Sequence, residues 1–454
     1  MRPKSLFLQT PPVRLFFMAA LPGAAGMFAS IIYSIIDGVL VGNLLGTTAF
    51  AAISLGWPFI VINFSLADLI GVGSSVPISL ALGKKKNAEA NNIFTCSCLL
   101  IVGTGLAVGV LLFALAPALM AMFGAKGELA RLAAEYIRVY ALFSPITTIA
   151  FALDNYLRIC GKIRMSMWLN IFMSVLIVVL EFIFLYVFGW GLWASAFAAC
   201  ISMVLAVGIA LYPFIRRKLQ LRFCRPRFNL PMLRRIIACG APSFFNNIAG
   251  RATAIILNIG LLHFGGEDAV AVFGILSYFG DVVQSLLYGI YDSLQPAISY
   301  NWGAARRDRV RILSRCCLLS GAVLSAVAVL SAYIAPRQII MCFSDKGTAE
   351  FVAMAAFALK LYSLSYALRW FSFFVLSFLT AIGDAKPATV ISLASVFVFP
   401  LLVMLALWPL GLTGLWLNFL TSAALTFLLA LGLLFRFYRR SDTPPAAAPA
   451  LITE

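Results

Sequence analysis

Three acidic residues stand inside long apolar runs of this sequence: Asp37, Asp68 and Glu181. An ionisable side chain inside a bilayer costs about 2.5–3.5 kcal/mol or more, so such residues are functional candidates. A carboxyl group in apolar surroundings can gain and lose a proton, and Glu181 could approach Asp37 and share one. We therefore predict that the three acids bind protons. The alternatives are a wetted carboxylate for Asp37, a packing residue for Asp68 and an interfacial acid for Glu181.

Other charged residues within apolar runs are predicted to form structural pairs. In the second half of the chain both Arg251 and Asp281 should lie near mid-depth, which favours an ion pair. Lys360 and Arg369 lie in the same half, and the sequence does not assign their roles. Charges three or four residues apart on one helix are neighbours. Two such pairs are predicted in the first half, Glu135 with Arg138 and Asp154 with Arg158.

Aromatic side chains are abundant, with 38 Phe, 14 Tyr and 8 Trp. Most of them are expected to face lipid or to pack between helices. A minority lining a cleft would suit flat hydrophobic cations, which bind aromatic rings through stacking and cation–π contacts. The candidates that we name for such a cleft are Tyr33, Tyr288 and Tyr291.

Membrane-spanning helices must hold these residues in place. Of the 454 residues 62% are hydrophobic and 11% charged, whereas soluble domains average roughly 45–50% apolar and 25% charged residues. Only helices satisfy their backbone within each span, and the alternating pattern of a barrel is absent, so we predict an all-α integral membrane protein with twelve spans. The predicted spans are 13–41, 48–82, 88–120, 128–158, 163–188, 191–215, 231–263, 268–301, 308–335, 347–380, 386–408 and 411–436.

The net charge of +17 is explained by membrane topology. If the N-terminus is cytoplasmic, the basic residues gather in the cytoplasmic loops, as the positive-inside rule requires. These loops contain Lys84, Lys85, Lys86, Arg158, Lys162, Arg164, Arg216, Arg217, Lys218, Arg306, Arg307, Arg309 and Arg311, and the opposite loops contain only Lys126, Arg131, Arg337 and Lys346. We predict two cytoplasmic termini, a lipid bilayer as partner and no nucleic-acid partner.

The second half of the sequence repeats the first at an offset of 220 residues (242 − 22 = 220). Examples are Pro22 with Pro242, Gly46 with Gly266 and Gly83 with Gly303. A unit of six helices enters the membrane from the same side in both copies, which predicts a parallel repeat about an axis along the membrane normal. The predicted domains are an N-lobe at 1–215, a basic cytoplasmic linker at 216–230, a C-lobe at 231–440 and a disordered cytoplasmic tail at 441–454.

Several segments of the chain resemble the multidrug and toxic-compound extrusion (MATE) family, and the acidic first helix is similar to its proton-coupled, DinF-like branch. The segments that carry the resemblance are Ser30 to Gly46 with Tyr33, Asp37-Gly38 and Gly42, then Pro77-Ile78-Ser79 with Gly83, Arg158 to Lys162, and Gly189-Trp190-Gly191. The resemblance implies a V-shaped pair of six-helix lobes that exports drug-like, often cationic, compounds in exchange for protons or sodium.

The chain departs from this family pattern at three positions. Glu181 stands where proton-coupled relatives usually have Asp, and Ile177 stands where they have Asn four residues earlier. In the second lobe Arg251 replaces the acid that sodium-coupled relatives carry on helix seven, which argues against a sodium site there.

The sequence also bears on other classes of function. The chain has no Walker A sequence, and its single histidine, His263, cannot form a His-rich metal site. We therefore expect no enzyme activity, no catalytic residues, no metal and no cofactor. A monomeric secondary transporter for small-molecule drugs or organic cations in the cell (inner) membrane is the favoured interpretation. A lipid-linked oligosaccharide flippase and a sodium-coupled antiporter remain alternatives.

Overall fold

The computed structural model describes residues 3–343 and 348–442, which form helices and short connecting segments without any strand. The predicted all-α class is confirmed. The helices are α1 (Pro3–Gln9), α2 (Pro12–Gly83), α3 (Asn87–Met122), α4 (Gly127–Ile159), α5 (Ile163–Phe182), α6 (Trp193–Ile215), α7 (Leu230–Gly303), α8 (Arg307–Ile334), α9 (Pro336–Phe343), α10 (Ala349–Ile382), α11 (Ala385–Leu393), α12 (Phe399–Leu407) and α13 (Gly411–Asp442). π-Helical turns at Ile183–Val187 and Ala394–Val398 follow α5 and α11.

Two of these helices are far longer than a bilayer requires, and each is broken by one glycine. Gly46 interrupts α2 with φ 82° and Gly266 interrupts α7 with φ 63°. These angles lie in the left-handed region, which glycine enters without steric cost. The loops expected at 42–47 and 264–267 are therefore single-residue breaks, and each long helix contains two spans.

The described part of the chain contains twelve spans, as the sequence predicts. Nine continuous helical stretches are long and apolar enough to cross a membrane. Three of them contain two spans each, namely α2, α7 and the stretch Ala385–Arg439, which changes direction at the 3₁₀ turn Trp408–Leu410. The short helices α1 and α9 are not predicted from the sequence, because neither is long enough to span a bilayer.

The spans form two lobes whose closest approach is made by glycines in α2 and α7. A β-carbon on Gly83 would clash with the Tyr300 carbonyl oxygen, and one on Gly303 would clash with the Leu80 carbonyl oxygen. Both members of the second contact lie 220 residues after those of the first, so the two contacts are related by a pseudo-two-fold axis that passes between them.

These contacts define one closed end of the molecule. The turns after Gly83 and Gly303 contain Lys84–Lys86 and Arg306–Arg307, and we call this end the basic face. Further close contacts join Gly240 to Leu69 and Gly23 to Gly289, on the same half of the lobes. The lobes therefore form a V whose closed base lies at the basic face.

The described segment between α6 and α7, residues 216–229, contains no helix. It is held by hydrogen bonds to the start of α3, where Asn92 Oδ1 accepts from the Arg227 backbone at 2.8 Å. The domain boundaries derived from the sequence remain a prediction. Of the predicted tail only residues 441 and 442 are described, at the end of α13, and the rest lies outside the described residues.

Helix α1 is anchored to the C-lobe at the basic face. The carbonyl oxygen of Phe7 accepts from Asn301 Nδ2 at 3.1 Å and from Arg309 Nη2 at 3.1 Å, and Arg309 also donates to the Thr10 carbonyl oxygen. The Phe7 ring is buried and lies 5.3 Å from that of Tyr300. Because the chain continues directly from α1 into the N-lobe, this contact ties the two lobes together.

We expect Arg309→Gln to release α1 from this anchor. A hydrogen bond to a charged group contributes about 1.5–3 kcal/mol, so amide hydrogens of residues 3–10 should exchange at least about tenfold faster in the variant. Hydrogen–deuterium exchange with mass spectrometry measures this rate. The matched control is Arg311→Gln, since Arg311 is exposed two residues further along α8. Equal exchange in the two variants would contradict the anchor.

Candidate functional site

The N-lobe brings two of the predicted acids into contact. Asp37 lies on the first span of α2 and Glu181 in the last turn of α5, and their carboxyl groups are within hydrogen-bonding reach of each other. Ser195 Oγ, from the start of α6, donates to Asp37 Oδ1 at 3.4 Å. Three helices that are remote in sequence therefore build this group, which we call the N-lobe acid pair.

The environment of Glu181 determines what the N-lobe acid pair can do. Glu181 is 0% exposed, and neither of its carboxylate oxygens accepts a hydrogen bond from a donor among the described residues. Two ionised carboxylates in contact repel each other, and a buried unpaired charge is costly. A proton shared between Asp37 and Glu181 relieves both penalties. The pair is therefore a proton-binding site by its geometry.

Three tyrosines surround the N-lobe acid pair. Tyr33 lies one turn before Asp37 on the same helix, and Tyr136 and Tyr140 approach from α4, with their rings 5.3 Å apart. The prediction placed Tyr33 in the drug cleft, and the structure places it beside the acids. Sequence reasoning missed Tyr136, Tyr140 and Ser195, because nothing in the local sequence of α4 or α6 indicates that they face Asp37.

Asp68 is not part of the N-lobe acid pair. It lies on the second span of α2 and interacts electrostatically with Asp292 of the C-lobe. Asp292 Oδ1 accepts from Gln295 Nε2 at 3.0 Å. Asp68 therefore belongs to the interface between the lobes rather than to the group that contains Asp37.

The predicted pair of Asp154 and Arg158 is confirmed, with a distance of 2.7 Å between Arg158 Nη2 and Asp154 Oδ2. Arg158 Nη1 also donates to Ser293 Oγ of the C-lobe at 3.3 Å. The pair thus makes a polar bridge between the lobes near the basic face.

The predicted pair of Glu135 and Arg138 is wrong. Glu135 instead pairs with Arg131 at 3.3 Å, while Arg138 Nε donates to the Phe113 carbonyl oxygen at 3.3 Å. Both spacings suit one helix, and the four-residue partner is the one that is reached.

The C-lobe contains a cavity of about 500 Å³ between α7, α10, α12 and α13. Both Arg251 and Asp281 line it and interact electrostatically. No salt bridge joins them in the described part of the chain, although the sequence predicts an ion pair. Tyr288 borders this cavity, since its hydroxyl accepts from the cavity-lining Asn246 at 2.9 Å.

Tyr291 does not reach a cleft. It is 2% exposed, and its hydroxyl donates to the Trp370 carbonyl oxygen at 3.3 Å. The side chain packs between α7 and α10, where its ring lies 6.2 Å from that of Phe374. In the described ranges no group of three or more metal-ligating side chains is present.

Comparisons with known proteins agree with this architecture. The family model MatE matches residues 22–183 and 242–405, which together make up well over half of the chain. The multidrug export protein MepA of Staphylococcus aureus (strain MSSA476) is 27% identical over 432 residues, with 94% of each chain covered. MepA of Staphylococcus saprophyticus is 28% identical over 405 residues, with 87% of each chain covered.

Solved structures show the same fold. A multidrug resistance MATE family transporter of the MOP superfamily in an outward-facing conformation has a TM-score of 0.90 and 22% identity, with 96% of this chain and 98% of that chain covered. A MATE crystal structure in a straight conformation has a TM-score of 0.88 and 21% identity, with 98% of both chains covered. The chain therefore belongs to the MatE (multidrug and toxic-compound extrusion) family and is a multi-pass membrane transporter, not an enzyme.

Proposed function

We propose that this protein exports amphipathic, cationic drugs in exchange for protons, by alternating access of a cleft between its two lobes. The observation that carries the proposal is the N-lobe acid pair, in which a buried Glu181 meets Asp37 without other donors. The names of the relatives, multidrug export proteins, support the drug-like substrate class.

The topology follows from the charge distribution. We place the basic face and both termini in the cytoplasm of the cell (inner) membrane, because basic loops are retained on that side. The closed basic face then makes this the conformation that is open to the outside. We propose that the protein acts as a monomer, since the two lobes of one chain form the whole cleft.

The mechanism uses the acid pair as a switch between drug-bound states. Protons reach Asp37 and Glu181 from outside, and a bound cation leaves in the same direction. Protonation drives export only if it changes the relative stability of the drug-bound conformations. Asp37 lies on the same helix as Gly46 and the basic-face glycines, so a rearrangement of α2 around the pair would reach the closed base.

Reconstituted uptake of the fluorescent cation rhodamine 123 tests the proposal. Vesicles with an acidic interior should accumulate the dye, because protons that leave exchange for dye that enters. An equal sodium gradient without a pH difference should drive no accumulation. Empty vesicles under the same gradients provide the control. Uptake driven by sodium alone would overturn proton coupling in favour of the sodium-coupled alternative.

The lipid-linked oligosaccharide flippase is a second candidate, and one observation favours it. Arg251 and Arg369 line the C-lobe cavity, and guanidinium groups bind phosphates well. Movement of rhodamine 123 in neither gradient, together with scrambling of a fluorescent polyprenyl diphosphate, would establish the flippase and reject drug export.

A further inference from the structure

The C-lobe cavity has an uncompensated positive charge. Its wall contains three ionisable side chains, Arg251, Asp281 and Arg369. Asp281 interacts with Arg251. Arg369 forms no salt bridge with any acid in the described parts of the chain. The three groups therefore leave one net positive charge facing a cavity within the membrane.

Arg369 is held in a position that leaves its donors available. Its guanidinium lies 5.1 Å from the centre of the Tyr366 ring and 5.4 Å from that of Phe373. A guanidinium stacked on aromatic faces keeps its planar edge of N–H groups free for an oxygen ligand. The residue lies in the middle of α10, far from both ends of the helix, so its charge cannot reach bulk water by extending along the lipid.

The rest of the wall is suited to an amphipathic molecule. Amide side chains of Asn247, Gln284 and Asn418 line the cavity on the polar side, and Phe273 and Phe419 line it on the apolar side. The two rings stack at 6.0 Å with an interplanar angle of 14°, which forms a flat apolar surface. A volume of about 500 Å³ lies in the range of pockets for drug-sized molecules.

We infer that this cavity binds amphipathic substrates that bear a carboxylate, with Arg369 as the partner of the carboxylate and the Phe273–Phe419 surface under the apolar body. The inference rests on the proposed drug export and names a substrate class for it. The carboxylate supplies the negative charge that Arg369 lacks, and carboxylate oxygens match the guanidinium edge in a bidentate geometry. The protein therefore accepts zwitterionic drugs as well as cations.

A pair of dyes tests this inference. Rhodamine 110 carries a free carboxylate, and rhodamine 123 is its methyl ester with the same ring system. Fluorescence anisotropy with purified protein measures the affinity for each dye independently of any proton gradient. We expect Arg369→Gln to weaken rhodamine 110 binding at least about tenfold and to leave rhodamine 123 binding unchanged, because a charge-assisted bidentate contact is lost only with the acid.

A second variant is expected to act in the opposite direction. Asp281→Asn removes the negative charge from the cavity wall, so rhodamine 110 should bind more tightly while rhodamine 123 does not. A gain in affinity cannot result from misfolding. Equal loss of both dyes in Arg369→Gln, or no effect of Asp281→Asn on the acid, would overturn the inference.

The outcomes separate this inference from the proposed function. If rhodamine 123 is transported with protons but neither variant distinguishes the acid from the ester, drug export stands and the carboxylate site is rejected. Geranylgeranyl diphosphate serves as a competitor in the same assay. Displacement of rhodamine 110 by the diphosphate at lower concentrations than by unlabelled aromatic acids would reject the carboxylate assignment in favour of an anionic lipid.

Discussion

Replacing Asp37 by Asn should abolish proton-coupled export. The amide cannot release a proton, so the N-lobe acid pair loses the charge change that distinguishes its two states. We expect pH-driven accumulation of rhodamine 123 in proteoliposomes to fall about 100-fold, the scale of a full coupling free energy between two sites. The release of protons when dye is added to purified protein should disappear as well.

The controls for this experiment come from the same lobe. Glu135→Gln removes an acid that pairs with Arg131 outside the N-lobe acid pair and should retain transport. Glu181→Gln should lose proton release, because Glu181 is the partner that shares the proton with Asp37. Normal exchange by the Asp37→Asn protein would refute the mechanism, and loss of exchange in Glu135→Gln would show that the assay reports folding instead.

Gly240→Ala is expected to force the lobes apart at the basic face. The new methyl group would clash with the backbone of Leu69 on the opposite lobe, and backbone cannot move aside as a flexible side chain can. Overpacking of this kind costs about 1–3 kcal/mol, which changes the ratio of closed to open basic face by about 10- to 100-fold. Export should decrease accordingly, because the cycle requires this face to close.

Distances between spin labels measure this shift. The labels are attached to cysteines introduced at Lys86 and Arg307, on turns of the two lobes at the basic face, after the nine native cysteines are replaced. The Gly240→Ala protein should populate a longer distance than the parent does. Gly274→Ala is the matched control on the same helix, since a β-carbon there meets no atom within 4 Å. Identical distance distributions for the two alanine variants would contradict the prediction.

Patterns that repeat along the chain could be read from the sequence. The apolar runs locate twelve spans, and the offset of 220 residues locates the symmetry that Gly83 and Gly303 display at the interface. Asp37 could be identified because a carboxyl group in an apolar run is conspicuous by itself. These features are local or periodic, and they need no knowledge of how the helices pack.

Contacts between helices could not be read in the same way. Depth in the membrane follows from position along a span, but the direction in which a side chain points around the helix axis depends on packing. Asp68 was therefore grouped with the wrong acid, and Arg251 was assigned a salt bridge to Asp281 that the cavity between them does not allow. Ser195 and Tyr136 became visible only when α4 and α6 were placed around Asp37.

The glycine breaks in the long helices restrict how the lobes can move. Gly46 is the only non-helical residue between the two spans of α2, so the φ and ψ angles of one residue are the main degrees of freedom that separate them. The acid pair lies on one side of this joint, and the interface glycines Gly73 and Gly83 lie on the other. The two spans therefore behave as rigid arms of one lever, and a small rotation of the arm that carries Asp37 is converted directly into displacement at the base of the V.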